Sequence, residues 1–137
     1  MRFCPDEWIE NLVLYPTNLA DRDRLRDPVE NLQWDIAKQL LTHGHSVVLE
    51  NGFWGEDERY QYAMEAIEVG AKVELYYLPA PNFESLWNRV EARNQSLSSP
   101  LWMMSREDLV QAWNSIQEPD DEELAFYDHA LIVNFDK

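Results

Sequence analysis

Arg89 and Arg93, four residues apart in Trp87-Asn88-Arg89-Val90-Glu91-Ala92-Arg93-Asn94, form the first pattern in this chain that could do chemistry. Helical spacing puts both guanidiniums on one face, and planar forked donors suit the oxygens of a phosphate or carboxylate. Glu84 and Glu91 stand near enough to pair with them instead, the ordinary fate of surface arginines. A second pattern closes the run His45-Ser46-Val47-Val48-Leu49-Glu50-Asn51-Gly52-Phe53-Trp54. Its aliphatics read as a strand buried on both faces of a parallel sheet, a centre rather than an edge. Glu50 and Asn51 would then sit at the carboxyl end of the sheet, where open α/β folds bind ligands, with Trp54 close by. The plainer alternatives are that Glu50 caps the strand and faces water, and that Trp54, like Trp87 and Trp102, belongs to a core. Asp6 and Glu50 in one cleft would offer paired carboxylates for acid–base work without ATP.

The elements that would position these residues alternate along the chain. Residues 1–4 read as an edge strand, and Asp6 and Glu7 suit the positive end of a short helix reaching Leu12. Residues 15–26, with Arg22, Arg24 and Arg26 among Asp21, Asp23 and Asp27, read as a solvated, self-paired loop. Asp27 and Pro28 open a helix with Val29, Leu32, Ile36 and Leu40 on its apolar face, and Gly44 closes it. Glu56, Asp57 and Glu58 open another, with Tyr60, Ala63, Met64 and Ile67 as its buried face. Then come a strand at 72–78, a helix capped by Asn82 and running to Asn94, and a lid-like loop at 95–104. Ser105 and Asp108 form a capping box for a helix at 106–116, followed by an acidic turn at 118–123 and a last strand at 130–133. The expected architecture is one α/β domain, 1–137, in three layers with a mainly parallel sheet of about four strands.

Composition narrows the function classes. A formal charge of −15, from 26 acidic and 11 basic residues, opposes a phosphate backbone, so nucleic acid is not an expected partner. Cys4 is the only cysteine, which rules out an internal disulfide, and no Cys/His metal spacing is present. His43, His45 and His129 are scattered, and no stretch approaches the ~20 apolar residues of a membrane span. The expectation is a cytoplasmic protein away from membranes.

The strand-to-helix passage at 47–54, the strand at 73–78, the helix bearing Arg89 and Arg93, segment 105–123 and Cys4-Pro5-Asp6-Glu7-Trp8 together resemble the P-loop kinases of the small-molecule and nucleoside-monophosphate-kinase-like group, which include chloramphenicol phosphotransferase and zeta-toxin-like proteins. The resemblance implies Asp6 as the acceptor of a substrate hydroxyl proton and Arg89 and Arg93 as lid arginines on the transferred phosphoryl group, with ATP and magnesium as cofactors if the chain is active. It also exposes a departure. A P-loop needs G-x-x-x-x-G-K-[ST], yet no glycine precedes Gly44, and Lys38, Lys72 and Lys137 are all misplaced for the role. Relative to that family the first strand, phosphate loop and first helix are missing. The missing strand normally lies mid-sheet, between the strands at 45–51 and 72–78, so its loss would leave two inward edges.

Two functions follow as expectations. One is a degenerate kinase-like protein acting as a ligand-binding or interaction module, with Glu50, Asn51 and Trp54 as substrate-binding residues. The other is an ATP-dependent kinase of a small-molecule hydroxyl, as a fragment or with a partner supplying the P-loop. Six tryptophans, six tyrosines and five phenylalanines exceed what a reduced core easily buries, which favours a homodimer.

Overall fold

The computed structural model describes residues 1–15, 19–97 and 100–134. Parts of the stretches read as loops, residues 16–18 and 98–99, lie outside that description, as does Lys137. In chain order the elements are β1 (Arg2–Phe3), α1 (Pro5–Leu12), α2 (Leu19–Thr42), β2 (Val48–Leu49), α3 (Glu56–Glu68), β3 (Glu74–Tyr77), α4 (Phe83–Ser96), a 3-10 turn (Pro100–Trp102), α5 (Arg106–Ser115), α6 (Asp121–Phe126) and β4 (His129–Ile132).

The strands do not make the expected sheet. β1 pairs with β2 and β3 with β4, both in parallel, and the two pairs stay separate. The three-layer architecture with a sheet of about four strands is therefore wrong for this chain, which is dominated by helices around two short strand pairs. The physical reason lies in β2, where only Val48 and Leu49 pair, and only toward β1. Val48 is 57 % exposed, so the run read as a central strand is an edge.

Helix α2 begins earlier than expected. Arg22, Arg24 and Arg26 fall within it, and the acid–base alternation becomes helical pairing, Arg24 with Asp21 and Arg26 with Glu30. Pro28 is tolerated inside the helix, with neighbouring Leu25 and Val29 buried against one cluster. The buried face is Val29, Gln33, Trp34 and Ala37, while Leu32 is exposed. In α3 the buried residues are Arg59, Ala63 and Ala66, so Tyr60 and Ile67 face outward. The acidic stretch read as a turn becomes α6, capped by the Asp120 carboxylate accepting from the Glu123 amide at 2.8 Å.

Two apolar clusters hold these pieces. Phe3, Trp34, Ala37 and Ala66 form one, with Val47, Leu49, Ala71 and Val73 against it, so both strand pairs border the same core. Ile9, Val13, Val29 and Leu101 form the other, with Leu25 and Trp102 beside them. Trp8 packs on both.

Candidate functional site

Leu101, 1 % exposed, anchors the 3-10 turn in the second cluster and brings Trp102 against α2. There Arg22 lies over the indole at 5.9 Å and Arg26 at 5.8 Å from the ring centroid. Arg22 also donates from Nη1 to the Leu101 carbonyl at 2.9 Å, and Arg93 of α4 donates to the Trp102 carbonyl at 3.4 Å. Three arginines of a strongly acidic chain thus converge on one tryptophan. Asn94 secures the same turn, donating to the Met104 carbonyl at 2.8 Å and accepting from the Met104 amide at 3.2 Å.

Beside this cluster lies an open cleft of about 340 Å³, within the range of small-ligand sites, lined by Arg22, Trp54, Met103, Met104, Asp108 and Gln111, among others. Its wall on the α5 side is set by the Ser105 cap, whose Oγ accepts from the Asp108 amide at 3.1 Å. On the other side Trp54 is tied to the chain beyond α5, its carbonyl accepting from the Gln117 amide at 2.8 Å, while the Gln117 Oε1 accepts from the Glu56 amide at 2.8 Å. The cleft therefore carries an aromatic face, two soft thioethers, one guanidinium and one carboxylate.

The residues expected from sequence are divided. Asp6 accepts from Arg26 Nη1 at 2.6 Å, so Asp6 and Arg93 both reach the Trp102 cluster. Arg89 is exposed one turn before Arg93, and its side chain makes no hydrogen bond or ion pair among the described residues. Glu84, a sequence candidate for pairing with these arginines, instead pairs with Arg106, which stacks on Phe83 and Trp87. Of the substrate-binding candidates only Trp54 lines the cleft. Glu50 accepts from Arg2 Nε at 2.7 Å, and Arg2 also holds Glu7. Asn51 stands beside the hydroxyl of Tyr62, whose pKa burial pushes up to about 12.

One positioning residue escaped the sequence reading. Arg59 donates from Nη1 to the Phe53 carbonyl at 2.8 Å and pairs with Glu123 inside the protein. Phe53 stands at φ 47°, a left-handed conformation that costs a non-glycine residue energy, and Arg59 holds it there. An available signal was the spacing of Arg59, Ala63 and Ala66 on one helical face: an arginine on an apolar stripe demands a buried acid.

Among the described residues no group of His, Cys, Asp or Glu is arranged to hold a metal. Lys38, the one described lysine within a helix, is held by Glu65 at 3.2 Å and Asp35 at 3.5 Å. No helix is long and apolar enough to cross a membrane among the described residues. Comparison with family models, curated proteins and solved structures returns no match for the chain.

Proposed function

We propose that the chain is a ligand-binding module, kinase-like in its sequence elements but not an autonomous phosphotransferase, and that the cleft between Trp54, Arg22 and α5 takes a small heteroaromatic anion of nucleotide type. Arg22, held at the cleft wall by its stacking on Trp102 and its bond to the Leu101 carbonyl, carries the proposal. Arg22 is paired with Asp23 at 2.9 Å, and Arg26 with Asp6 and Glu30, so a bound anion would compete with Asp23 for the Arg22 guanidinium at the cleft wall. Trp54 offers an exposed indole for stacking, and Met103 and Met104 adapt to a flat ring. Gln111 and Asp108 supply the hydrogen-bonding groups that orient a heterocycle.

The alternative, a kinase completed by a partner's phosphate loop, requires Asp6 as a free base. Its carboxylate is already occupied by Arg26, which favours binding over catalysis. Whether the chain on its own is a phosphotransferase is tested by phosphate release from ATP and magnesium by the purified chain. The expected result is no release above a boiled control; magnesium-dependent turnover that Asp6→Asn abolishes would establish the kinase instead.

A further inference from the structure

Helix α5 turns one stripe toward the cleft, for Asp108, Gln111, Ala112 and Ser115 all line it at the three- and four-residue spacing of a single helical face. Their polar groups differ in what they have left to offer. The Ser115 hydroxyl donates to the Gln111 carbonyl at 2.7 Å, so its proton is used within the helix. The Asp108 amide donates to Ser105 Oγ at 3.1 Å, but the Asp108 carboxylate takes no hydrogen bond or ion pair among the described residues. The Gln111 side-chain amide is likewise without a partner among them. Nearby acids are committed elsewhere, Asp23 to Arg22 and Asp6 to Arg26.

Two unlike charges therefore line one cleft, the Arg22 guanidinium shared with Asp23 and the Asp108 carboxylate. An anionic ligand sends its phosphate to Arg22, and whatever then meets Asp108 must donate, because an ionised carboxylate is acceptor-only. The common bases differ in this respect. Guanine presents N1–H and the 2-amino group side by side, two parallel donors that match the two oxygens of a carboxylate. Adenine and cytosine set one amino donor beside a ring-nitrogen lone pair, and uracil sets its N–H between two carbonyls, so each turns an acceptor toward Asp108. A carboxylate facing an acceptor is left desolvated and unpaired. Gln111, three residues on, has amide protons for the 6-carbonyl of guanine, and Ala112 adds no bulk beside a flat ring.

We propose that Asp108 makes the cleft selective for guanine nucleotides, its carboxylate accepting from N1–H and the 2-amino group of a base stacked on Trp54 while Arg22 holds the phosphate. The inference rests on the nucleotide reading of the cleft and adds the identity of the base to it.

The experiment is calorimetric titration of guanosine, inosine, adenosine and xanthosine monophosphates into the whole purified chain and into its Asp108→Asn variant. The unaltered chain should bind the guanosine nucleotide about tenfold or more tighter than the adenosine one, with inosine monophosphate, which lacks the 2-amino group, between them. Asp108→Asn keeps the backbone amide that Ser105 caps, and its circular dichroism should match that of the unaltered chain. A side-chain amide offers one acceptor and one donor. The variant should therefore lose the guanine preference, hold or gain affinity for adenosine monophosphate, and bind xanthosine monophosphate, whose 2-carbonyl accepts, more tightly than the unaltered chain does. A purely structural role for Asp108 would lower affinity for every base alike, and that result would overturn the proposal. Equal affinity of the unaltered chain for guanosine and adenosine monophosphates, weakened in both by Trp54→Ala, would overturn the base assignment and leave the nucleotide reading standing. Binding of none of these nucleotides would overturn both.

Discussion

Arg59 and Glu123, separated by 64 residues, meet as a two-point pair, Nε to Oε1 at 2.7 Å and Nη2 to Oε2 at 2.9 Å. Their side chains are 5 % and 8 % exposed, and the Tyr127 hydroxyl adds a third bond to the same carboxylate. Through Arg59 Nη1 the pair reaches the Phe53 carbonyl, so α3, α6 and the loop that carries Trp54 are fixed together. Removing one member leaves the other charge buried and unanswered. Arg59→Ala should therefore lower stability by about 3–5 kcal/mol in urea denaturation, and the double change Arg59→Met with Glu123→Leu should recover a large part of the loss. If Arg59→Ala cost no more than an exposed pair, the positioning role given to Arg59 would be wrong.

Asn94 and Met104 make a smaller junction of the same kind, with two hydrogen bonds from one side-chain amide. Asn94→Ala should cost about 1 kcal/mol per lost bond, visible as a shifted denaturation midpoint. Exchange at the Met103 and Met104 amides should quicken in the variant, and ligand affinity at the cleft should fall while α4 stays formed.

Alkaline pH tests the packing of three tyrosines. Burial pushes Tyr62, Tyr77 and Tyr127 up to about 12 from an ordinary value of 10.0, helped at Tyr77 and Tyr127 by the neighbouring carboxylates of Glu118 and Glu123. A phenol with a raised pKa binds its proton more tightly in the folded chain. Its stabilising effect is complete below pH 10.0 and is lost as pH rises toward about 12. Tyrosinate absorbance and loss of structure should rise together across that interval, and Tyr62→Phe should weaken the dependence. Ionisation of all the tyrosines near the ordinary value, with no change in fold, would contradict the burial described.

Asp6 separates binding from catalysis. Its pair with Arg26 is more than one-third exposed on both sides, so Asp6→Asn should change stability by less than about 1 kcal/mol. The change frees part of the Arg26 charge beside Trp102, and affinity for an anion at the cleft should hold or rise. A sharp loss of affinity would show that Asp6 itself contacts the ligand.

Local features were legible in the sequence where short-range bonds create them. Asn82 and Ser105 cap their helices through contacts three residues on, as their side chains dictate, and the four strands lie inside or within a residue of the runs read for them. Pairing was not legible, because whether β2 meets β3 depends on partners that no window of sequence contains. The same limit hid the clustering at Trp102. Arg22 and Arg26 looked like a solvated loop until α2 extended back through them, and the indole that gathers them lies far along the chain. Helical position reads Arg93 as a phosphate-type donor, and its observed partner is a backbone carbonyl.

The most direct measurement is calorimetric titration of adenosine monophosphate into the purified chain, repeated with Trp54→Ala and Arg22→Gln. The expected result is binding in the micromolar range that either substitution weakens by about tenfold or more, since each removes one of the two contacts that define the ligand class. No heat of binding, or binding indifferent to both substitutions, would contradict a nucleotide-type ligand in the cleft.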